Sequence, residues 1–458
     1  MSRKPSDRSF EPACDITAIL GGSHLVYIYC ERFWRKKPHV TASSTSCLVH
    51  CFDNGLVLLA EPLPWLSSVG FDIAIPAGAA FDPEDRQGLA SLTTDMVLRG
   101  AGPRDARAFL GDLENLGVVW SESVGHRFIH LSAAMRPKHL RDALAIFSDV
   151  LRKPRLPQED LESARQGLIQ TIQAEEDDPE HQLNKALRYR FLPYPWSRSP
   201  HGVIDHVAAI SWHEVAEFVE RHFQPSGVVI GVAGRFNWDE LVTWVGELLG
   251  DWKGSPPPAP ETRWPTERQA HVPFDSQQTH IGVAYRSIPY EDDHYFLARA
   301  AAGMLGSGSS SRLFMELRER RGLCYAVGAN YVVIRGFGGV ICYVGTTSER
   351  AEESLEVLLE QLQNLGEGVT KDELDRAKAQ LKSGIVFLQE SSAARAHTLT
   401  QDWSLLGRVR SMQEIKEAVD SLSTEEVNQF LRDNPPRDFT VVTVGPRPVE
   451  VPSELLQP

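Results

Sequence analysis

The sequence lacks an apolar run long enough to cross a membrane. A spanning helix needs about 20 consecutive apolar residues, and the most apolar segment, 326–345, is interrupted by Asn330 and Arg335. A basic start followed by the fairly apolar segment 16–30 faintly resembles an export signal, but glycine and polar residues interrupt it. We therefore expect no membrane span and a cytoplasmic protein, with export as the alternative.

Long basic runs are absent too. The chain carries 61 acidic and 47 basic side chains, a formal net charge of -14. A protein that binds nucleic acid usually concentrates Lys and Arg on one surface to neutralise phosphates. The sequence therefore predicts no nucleic-acid partner.

The six cysteines include no C-x-x-C pair of the kind that holds structural zinc. Cys47 and Cys51 are equally compatible with a structural role and with no pairing. The scattered thiols fit a reducing compartment. Hydrophobic residues make up 42% of the chain and charged residues 24%, which is typical of a globular protein.

The chain contains an internal repeat at an offset of about 212 residues. The matching segments are 210–218 with 422–430, 156–168 with 369–381, and Val69-Gly70 with Ile281-Gly282. Because these blocks keep their order and nearly their offset, we interpret the chain as two homologous halves.

A proline-rich segment separates the halves. We assign 1–46 to a poorly ordered N-terminal extension, 47–250 to a first domain, 251–269 to a linker, and 270–458 to a second domain. With 458 residues, the chain is long enough for at least two domains.

Runs of strand-like and helix-like residues are segregated within each half. Segment 280–287 alternates as a strand does, 118–134 and 326–344 are predicted as longer strands, and 138–151 and 158–174 have helical spacing. This order predicts an α+β fold in which each half packs a largely antiparallel sheet against helices. Two capping boxes, Ser211 with Glu214 and Ser423 with Glu426, predict matching helix starts in the two halves.

The segment 88–100, GLASLTTDMVLRG, has the spacing of an amphipathic helix but no histidine, and none occurs between His50 and His126. Its Gly-Leu-Ala start and the order of elements over about 52–444 resemble the pitrilysin and mitochondrial-processing-peptidase family, the inverzincin metallopeptidases. In that family this helix carries H-x-x-E-H, whose two histidines bind zinc while the glutamate activates water. A glutamate on a later helix completes the zinc site.

On this resemblance Ser91 and Asp95 occupy the two histidine positions, Thr94 the glutamate position, and Thr171 the third-ligand position. Catalytic zinc needs three protein donors and one open position. The resemblance thus implies that this chain has no zinc of its own and cannot hydrolyse peptides by the usual mechanism. We interpret Glu175 and Glu176, next to Thr171, as a solvated acidic helix end.

His126 and His130 are a second pair of candidate ligands. If both lie on one strand, four residues at ~3.3 Å each separate them by about 13 Å. That distance is too large for shared zinc ligation, so we predict partly exposed strand histidines.

The corresponding segment of the second half is 300–325, which contains Arg318 and Tyr325 seven residues apart. In the family, an arginine and a tyrosine at this spacing reach across to the zinc of the first half, where they bind substrate backbone and the developing oxyanion. Apart from the resemblance, Arg318 is one more charge at a helix end. We expect 303–311 to form a small-residue loop that binds substrate through Gly303, Gly306, Gly308 and Ser309, unless it is only a flexible connection.

Loss of the zinc ligands alongside Arg318 and Tyr325 resembles one subunit of the two-chain members of the family. The resemblance implies a non-catalytic subunit that binds unfolded peptide and completes the site of a paralogous partner, which carries the zinc. One alternative is a core-protein-like scaffold, as in respiratory bc-complexes. Another is an independent metallopeptidase that uses Asp95 and an unidentified base.

Overall fold

A computed structural model describes residues 47–254 and 260–451. The predicted N-terminal extension and residues 255–259 of the predicted linker lie outside the described residues. No helix among the described residues has the length and apolar content needed to cross a bilayer.

The first sheet contains six strands in the order β1-β2-β8-β3-β7-β6. Only the pair β2 and β8 is parallel. Every residue of β3 is buried, so both faces of the sheet are covered at its centre. The strands are β1 (Leu48–Cys51), β2 (Val57–Pro62), β3 (Val69–Ile75), β6 (Val119–Val124), β7 (Ile129–Met135) and β8 (Val229–Gly234), and a separate small hairpin holds β4 (Gly100–Ala101) and β5 (Arg104–Asp105).

The helices of the first half are α1 (Leu89–Val97), α2 (Ala106–Leu116), α3 (Leu140–Arg152), α4 (Leu161–Glu176), α5 (Pro179–Phe191), α6 (Ile204–Ala209), α7 (Trp212–His222) and α8 (Trp238–Leu249). All helices of the first half except α5 pack mainly on one face of this sheet.

The second sheet contains five strands in the order β11-β12-β10-β13-β9, with β13 and β9 parallel. Its strands are β9 (Gln269–Pro273), β10 (Gln278–Ser287), β11 (Cys324–Ile334), β12 (Phe337–Thr347) and β13 (Thr440–Gly445). The helices of this half are α9 (Tyr295–Gly306), α10 (Ala351–Gly366), α11 (Lys371–Glu390), α12 (Ser392–Leu406), α13 (Met412–Ser421) and α14 (Thr424–Asp433), with a π-helical segment at Phe314–Arg320.

The predicted α+β fold with largely antiparallel sheets is confirmed. Both predicted capping boxes are formed, at the starts of α7 and α14. The prediction of single long strands at 118–134 and 326–344 was wrong, because each segment forms a hairpin of two strands. The chain reverses at 125–128 and at 335–336, where Gly125 and Gly336 lie in the turns.

One helix of each half packs against the sheet of the other half. Helix α12 covers the second face of the first sheet through Ala396 and Leu399, and α5 covers one face of the second sheet through Leu183 and Leu187. The described residues of the two halves therefore belong to one compact unit.

Glycines let these exchanged helices approach closely. A Cβ atom on Gly70 would lie 2.7 Å from the backbone nitrogen of Ala393, and one on Gly282 would lie 2.9 Å from Cδ2 of Leu187. Gly70 and Gly282 are repeat partners, so the same contact between helix and strand occurs in both halves.

Candidate functional site

Helix α1 forms where the sequence predicts it. Gly88 precedes it with φ of 102°, a left-handed conformation that favours glycine. The buried Asp82 carboxylate accepts hydrogen bonds from the backbone N–H groups of Gly88 and Ala90, both at 2.8 Å. Leu92 and Met96 are fully buried, so the helix has a packing role independent of any ligand.

The four residues that the family resemblance assigns to zinc-site positions all have other partners. Ser91 Oγ donates to the Pro200 carbonyl oxygen at 2.7 Å, and Thr94 Oγ1 donates to the Ala90 carbonyl oxygen at 2.8 Å. Both oxygens of the Asp95 carboxylate accept from Arg99, at 2.7 and 3.2 Å. Thr171 Oγ1 donates to the Gly167 carbonyl oxygen at 3.2 Å. Three hydroxyls and one ion-paired carboxylate do not fit a catalytic zinc ion.

Glu175 lies one turn beyond Thr171 on α4. Its side chain is only 17% exposed, and Oε1 lies 2.6 Å from His201 Nδ1 and 2.9 Å from His181 Nε2. The interpretation of Glu175 as a solvated helix end was therefore wrong, whereas Glu176 is exposed as expected.

Arg318 and Tyr325 lie side by side. The guanidinium carbon of Arg318 is 5.3 Å from the Tyr325 ring centroid and 4.9 Å from that of Phe314. Such distances allow a cation–π contact. Both side chains face solvent, and Tyr325 is 81% exposed.

Backbone irregularities position both side chains. Arg318 belongs to the π-helical segment, a geometry that often occurs at functional sites. Tyr325 lies at a shift in register between β11 and β12, and such bulges re-aim a side chain out of the regular strand pattern. Between them Gly322 adopts φ of 59°, which turns the chain from the helix into the strand.

The predicted small-residue loop is shorter than expected. Gly303 and Gly306 belong to α9, and the loop spans only 307–311, with Gly308 and Ser309 exposed. A Cβ atom on Gly306 would lie 2.1 Å from the backbone nitrogen of Ala329, so this glycine allows α9 to contact β11. The prediction of a loop at Gly303 and Gly306 was wrong, since both lie within α9, and at Gly306 it is the close contact with β11 that requires a small residue.

A cavity of about 160 Å³ lies beside Gly303. Typical small-molecule pockets measure roughly 300–1,000 Å³, so this cavity has room for little more than one side chain. Its polar lining includes Arg299, Ser307, Tyr331 and Gln380.

His126 and His130 do not share a strand. His126 lies in the turn between β6 and β7, so the prediction of one strand for both was wrong. Its Nε2 atom contacts Arg188, and burial together with that charge lowers the pKa of His126 to about 4.

Sequence reasoning missed a cluster of Asp72, His130 and His397. His130 Nδ1 lies 3.0 Å from Asp72 Oδ2, and His397 Nδ1 lies 3.5 Å from Asp72 Oδ1. Burial alone would raise the pKa of Asp72, but the hydrogen bonds and charges of the two histidines outweigh it and hold the pKa below its usual range. The only sequence signal was a carboxylate inside the apolar stretch VGFDIAI.

Comparison with known families agrees with this architecture. The family described as "Insulinase (Peptidase family M16)" matches residues 61–193, and "Peptidase M16 inactive domain" matches residues 209–381. The chain belongs to the pitrilysin family, peptidase family M16. The two matches are separated by residues 194–208 and together cover about two thirds of the chain.

Relatives within the M16 family match most of the chain. An "Uncharacterized zinc protease" of Rickettsia felis is 22% identical over 376 residues, which cover 82% of this chain and 91% of the relative. A Pseudomonas fluorescens crystal structure described as a peptidase M16 inactive domain has a TM-score of 0.81 at 21% identity, covering 89% of this chain and 100% of that one.

A third solved structure has a similar fold. A chain of Complex III2 from Candida albicans has a TM-score of 0.75 at 17% identity and covers 87% of this chain and 95% of its own length. At this identity the likeness shows the fold alone.

Proposed function

We propose that this chain is the non-catalytic subunit of a two-chain zinc metallopeptidase. It binds an unfolded peptide and supplies Arg318 and Tyr325 to the active site of a paralogous subunit that holds the zinc. The observation that carries the proposal is the exposed pair of Arg318 and Tyr325 in a chain whose own zinc-site positions hold hydroxyls and an ion-paired aspartate.

The chemistry of the pair suits peptide hydrolysis. Arginine presents a fixed fork of N–H donors that can hold a peptide carbonyl. The phenol O–H of tyrosine can donate to the oxyanion that develops as water attacks that carbonyl. Neither group needs a metal in its own chain, because each acts on the substrate.

The sheet edges support binding of an extended peptide. β6 ends the first sheet and β11 ends the second, so each has one side without a neighbouring strand among the described residues. A peptide added to such an edge gains main-chain hydrogen bonds with little sequence preference. Tyr325 is the second residue of β11, so it lies at the start of one of these edges. The net charge of -14 favours basic segments of a substrate.

The alternative of an independent metallopeptidase, in which Asp95 would be a metal ligand, is disfavoured. Its carboxylate is held by the guanidinium of Arg99 one helical turn away, and no His, Cys or Glu side chain occupies the other family positions. A scaffold without a peptidase role is separated from the proposal by activity measurements.

The test uses the full chain and a zinc-bearing relative from the same organism. Peptide cleavage is measured for each chain alone, for the mixture, and for mixtures with Arg318→Ala or Tyr325→Phe. We expect cleavage only in the mixture and its loss with either substitution. Arg320→Ala is the matched control, because Arg320 lies on the same π-helical segment but pairs with Glu316.

Assembly of each mixture is measured separately by size-exclusion chromatography. Cleavage by this chain alone would overturn the proposal. Cleavage by the mixture that is indifferent to both substitutions would show that the chain is a scaffold.

A further inference from the structure

A carboxylate and two imidazoles from three separate elements meet on the face of the first sheet that α12 covers. Asp72 comes from β3, His130 from β7 and His397 from α12. One ligand atom from each lies within 4.8 Å of the others, and no second group of three metal-binding side chains this close occurs within 47–254 and 260–451.

The spacing is near that of a metal site. In a tetrahedral zinc site with bonds of about 2.0–2.1 Å, neighbouring ligand atoms lie roughly 3.3 Å apart. Here the Asp72 carboxylate is 3.0 Å from His130 Nδ1 and 3.5 Å from His397 Nδ1. The three groups are therefore close enough to be candidate ligands of one ion.

Hydroxyl groups already orient the carboxylate. Ser132 Oγ donates to Asp72 Oδ1 at 2.6 Å, and Thr400 Oγ1 donates to Asp72 Oδ2. Such hydrogen bonds from a second layer of residues are a regular feature of metal sites, since they fix the position of a ligand and the charge that it carries.

Burial and exposure are divided within the cluster in a way that suits a bound cation. The Asp72 side chain is fully buried, whereas those of His130 and His397 are 17% and 45% exposed. A buried carboxylate is costly unless it is paired or bound to metal. The two histidines are therefore the part of the cluster that solvent reaches.

We propose that Asp72, His130 and His397 bind one zinc-class divalent cation, at a site distinct from the M16 zinc position on α1 and α4. Two nitrogens and one carboxylate oxygen match the ligand preference of Zn²⁺ and its transition-metal neighbours, whereas Mg²⁺ and Ca²⁺ prefer oxygen ligands alone. Because α12 comes from the second half and both strands from the first, the bound ion links the halves. From the sequence we expected no metal anywhere in this chain, and this proposal departs from that expectation.

The test measures binding by the full chain after treatment with a chelator. Equilibrium dialysis against Zn²⁺ with elemental analysis should give one equivalent per chain, and Co²⁺ should give the visible absorption of a low-coordinate site. His397→Gln should weaken binding by more than about 100-fold, the upper range for loss of a second-layer partner. Ser132→Ala should weaken it by about tenfold.

Two control variants identify the site. His294→Gln removes an exposed histidine that pairs with Asp292, and His181→Gln removes a partner of Glu175. Neither should change Zn²⁺ binding. Circular dichroism checks that all variants fold, and Zn²⁺ should raise the Tm of the unmodified chain but not that of His397→Gln.

Failure of the unmodified chain to bind Zn²⁺ would show that the cluster is only a hydrogen-bonded group of one carboxylate and two histidines. Equal binding by His397→Gln and the unmodified chain would place the ion elsewhere. Either result would overturn the inference, and neither depends on peptidase activity.

Discussion

Arg395 donates from Nε and Nη2 to Oε2 of Glu61, at 2.9 and 2.6 Å, and both side chains are buried. The two residues are 334 positions apart in sequence. Arg395 lies on α12 and Glu61 on β2, so this ion pair joins the helix lent by the second half to the sheet of the first. Arg395 also donates to the Arg410 carbonyl oxygen at 3.2 Å, which fixes the chain beyond α12.

Breaking this pair should destabilise the protein strongly. Arg395→Met leaves the Glu61 carboxylate buried without its partner, which typically costs about 3–5 kcal/mol. Urea unfolding of the two proteins measures the difference. Arg141→Met is the control, because Arg141 and Glu247 form a pair that is 59% and 55% exposed and should contribute about 1 kcal/mol or less. A loss below about 1 kcal/mol for Arg395→Met would contradict the role assigned to the pair.

Two glycines of α9 should respond to alanine in opposite directions. In Gly306→Ala the new methyl group would lie 2.1 Å from the backbone nitrogen of Ala329, so helix and strand must separate. We expect the free energy of unfolding to fall by about 1–3 kcal/mol. In Gly303→Ala the nearest atom is Ser307 Oγ at 4.0 Å, so better helix propensity should stabilise the protein by about 0.5–1 kcal/mol. Thermal unfolding of both variants checks the signs. Equal effects would mean that α9 does not contact β11 as described.

Acid should lower the free energy of unfolding through protonation of Glu373. Burial raises the pKa of Glu373, but hydrogen bonds from Arg312 and Thr370 outweigh it and lower the pKa to about 2. Because the folded-state pKa lies below the ordinary value of 4.5, the stabilisation is complete above pH 4.5 and is lost as the pH falls towards 2. We expect a loss of roughly 1–3 kcal/mol over that range.

The measurement is the free energy of unfolding from pH 6 to pH 2.5 for the unmodified chain and for Glu373→Gln. The variant should start less stable and show a shallower decline. Parallel curves would exclude Glu373 as a source of the pH dependence.

On the proposed function, Tyr325→Phe should impair catalysis without impairing assembly. Loss of one oxyanion donor lowers kcat by about 10²–10³-fold in well-studied hydrolases. The Tyr325 side chain is 81% exposed in the isolated chain, so its hydroxyl is not required for folding. Steady-state kinetics of the two-chain mixture should show the loss in kcat with a smaller change in KM. A change confined to KM would assign Tyr325 to substrate binding alone.

The features predicted from sequence are those built from neighbours along the chain. Ser211 and Glu214 form a reciprocal capping box whose bonds span three residues. The start of α1 at Gly-Leu-Ala and the hydroxyl side chains of Ser91 and Thr94 could be identified from the sequence because the family motif is contiguous. The pairing of Arg318 with Tyr325 was predicted from family spacing, while the π-helical segment and the bulge that bring the side chains together were not.

The errors have physical causes as well. Gly303 and Gly306 were assigned to a loop because glycine favours loops, yet Gly306 serves a helix that contacts β11. Glu175 was assigned to a solvated end because its sequence neighbours are acidic, yet His181 and His201 reach it from later segments.

By itself the sequence determined the two homologous halves, the α+β class and the helix starts, and it has no histidine between His50 and His126. These follow from spacing, local hydrogen bonds and residue chemistry within short segments. Only the tertiary structure decided that α12 and α5 are exchanged between the halves and that Asp72 meets His397. The uniformly buried β3 indicates that both faces of its sheet are covered. Which helix covers the second face depends on packing between residues more than 300 positions apart, such as Asp72 and Thr400 at a separation of 328, and no local pattern encodes that choice.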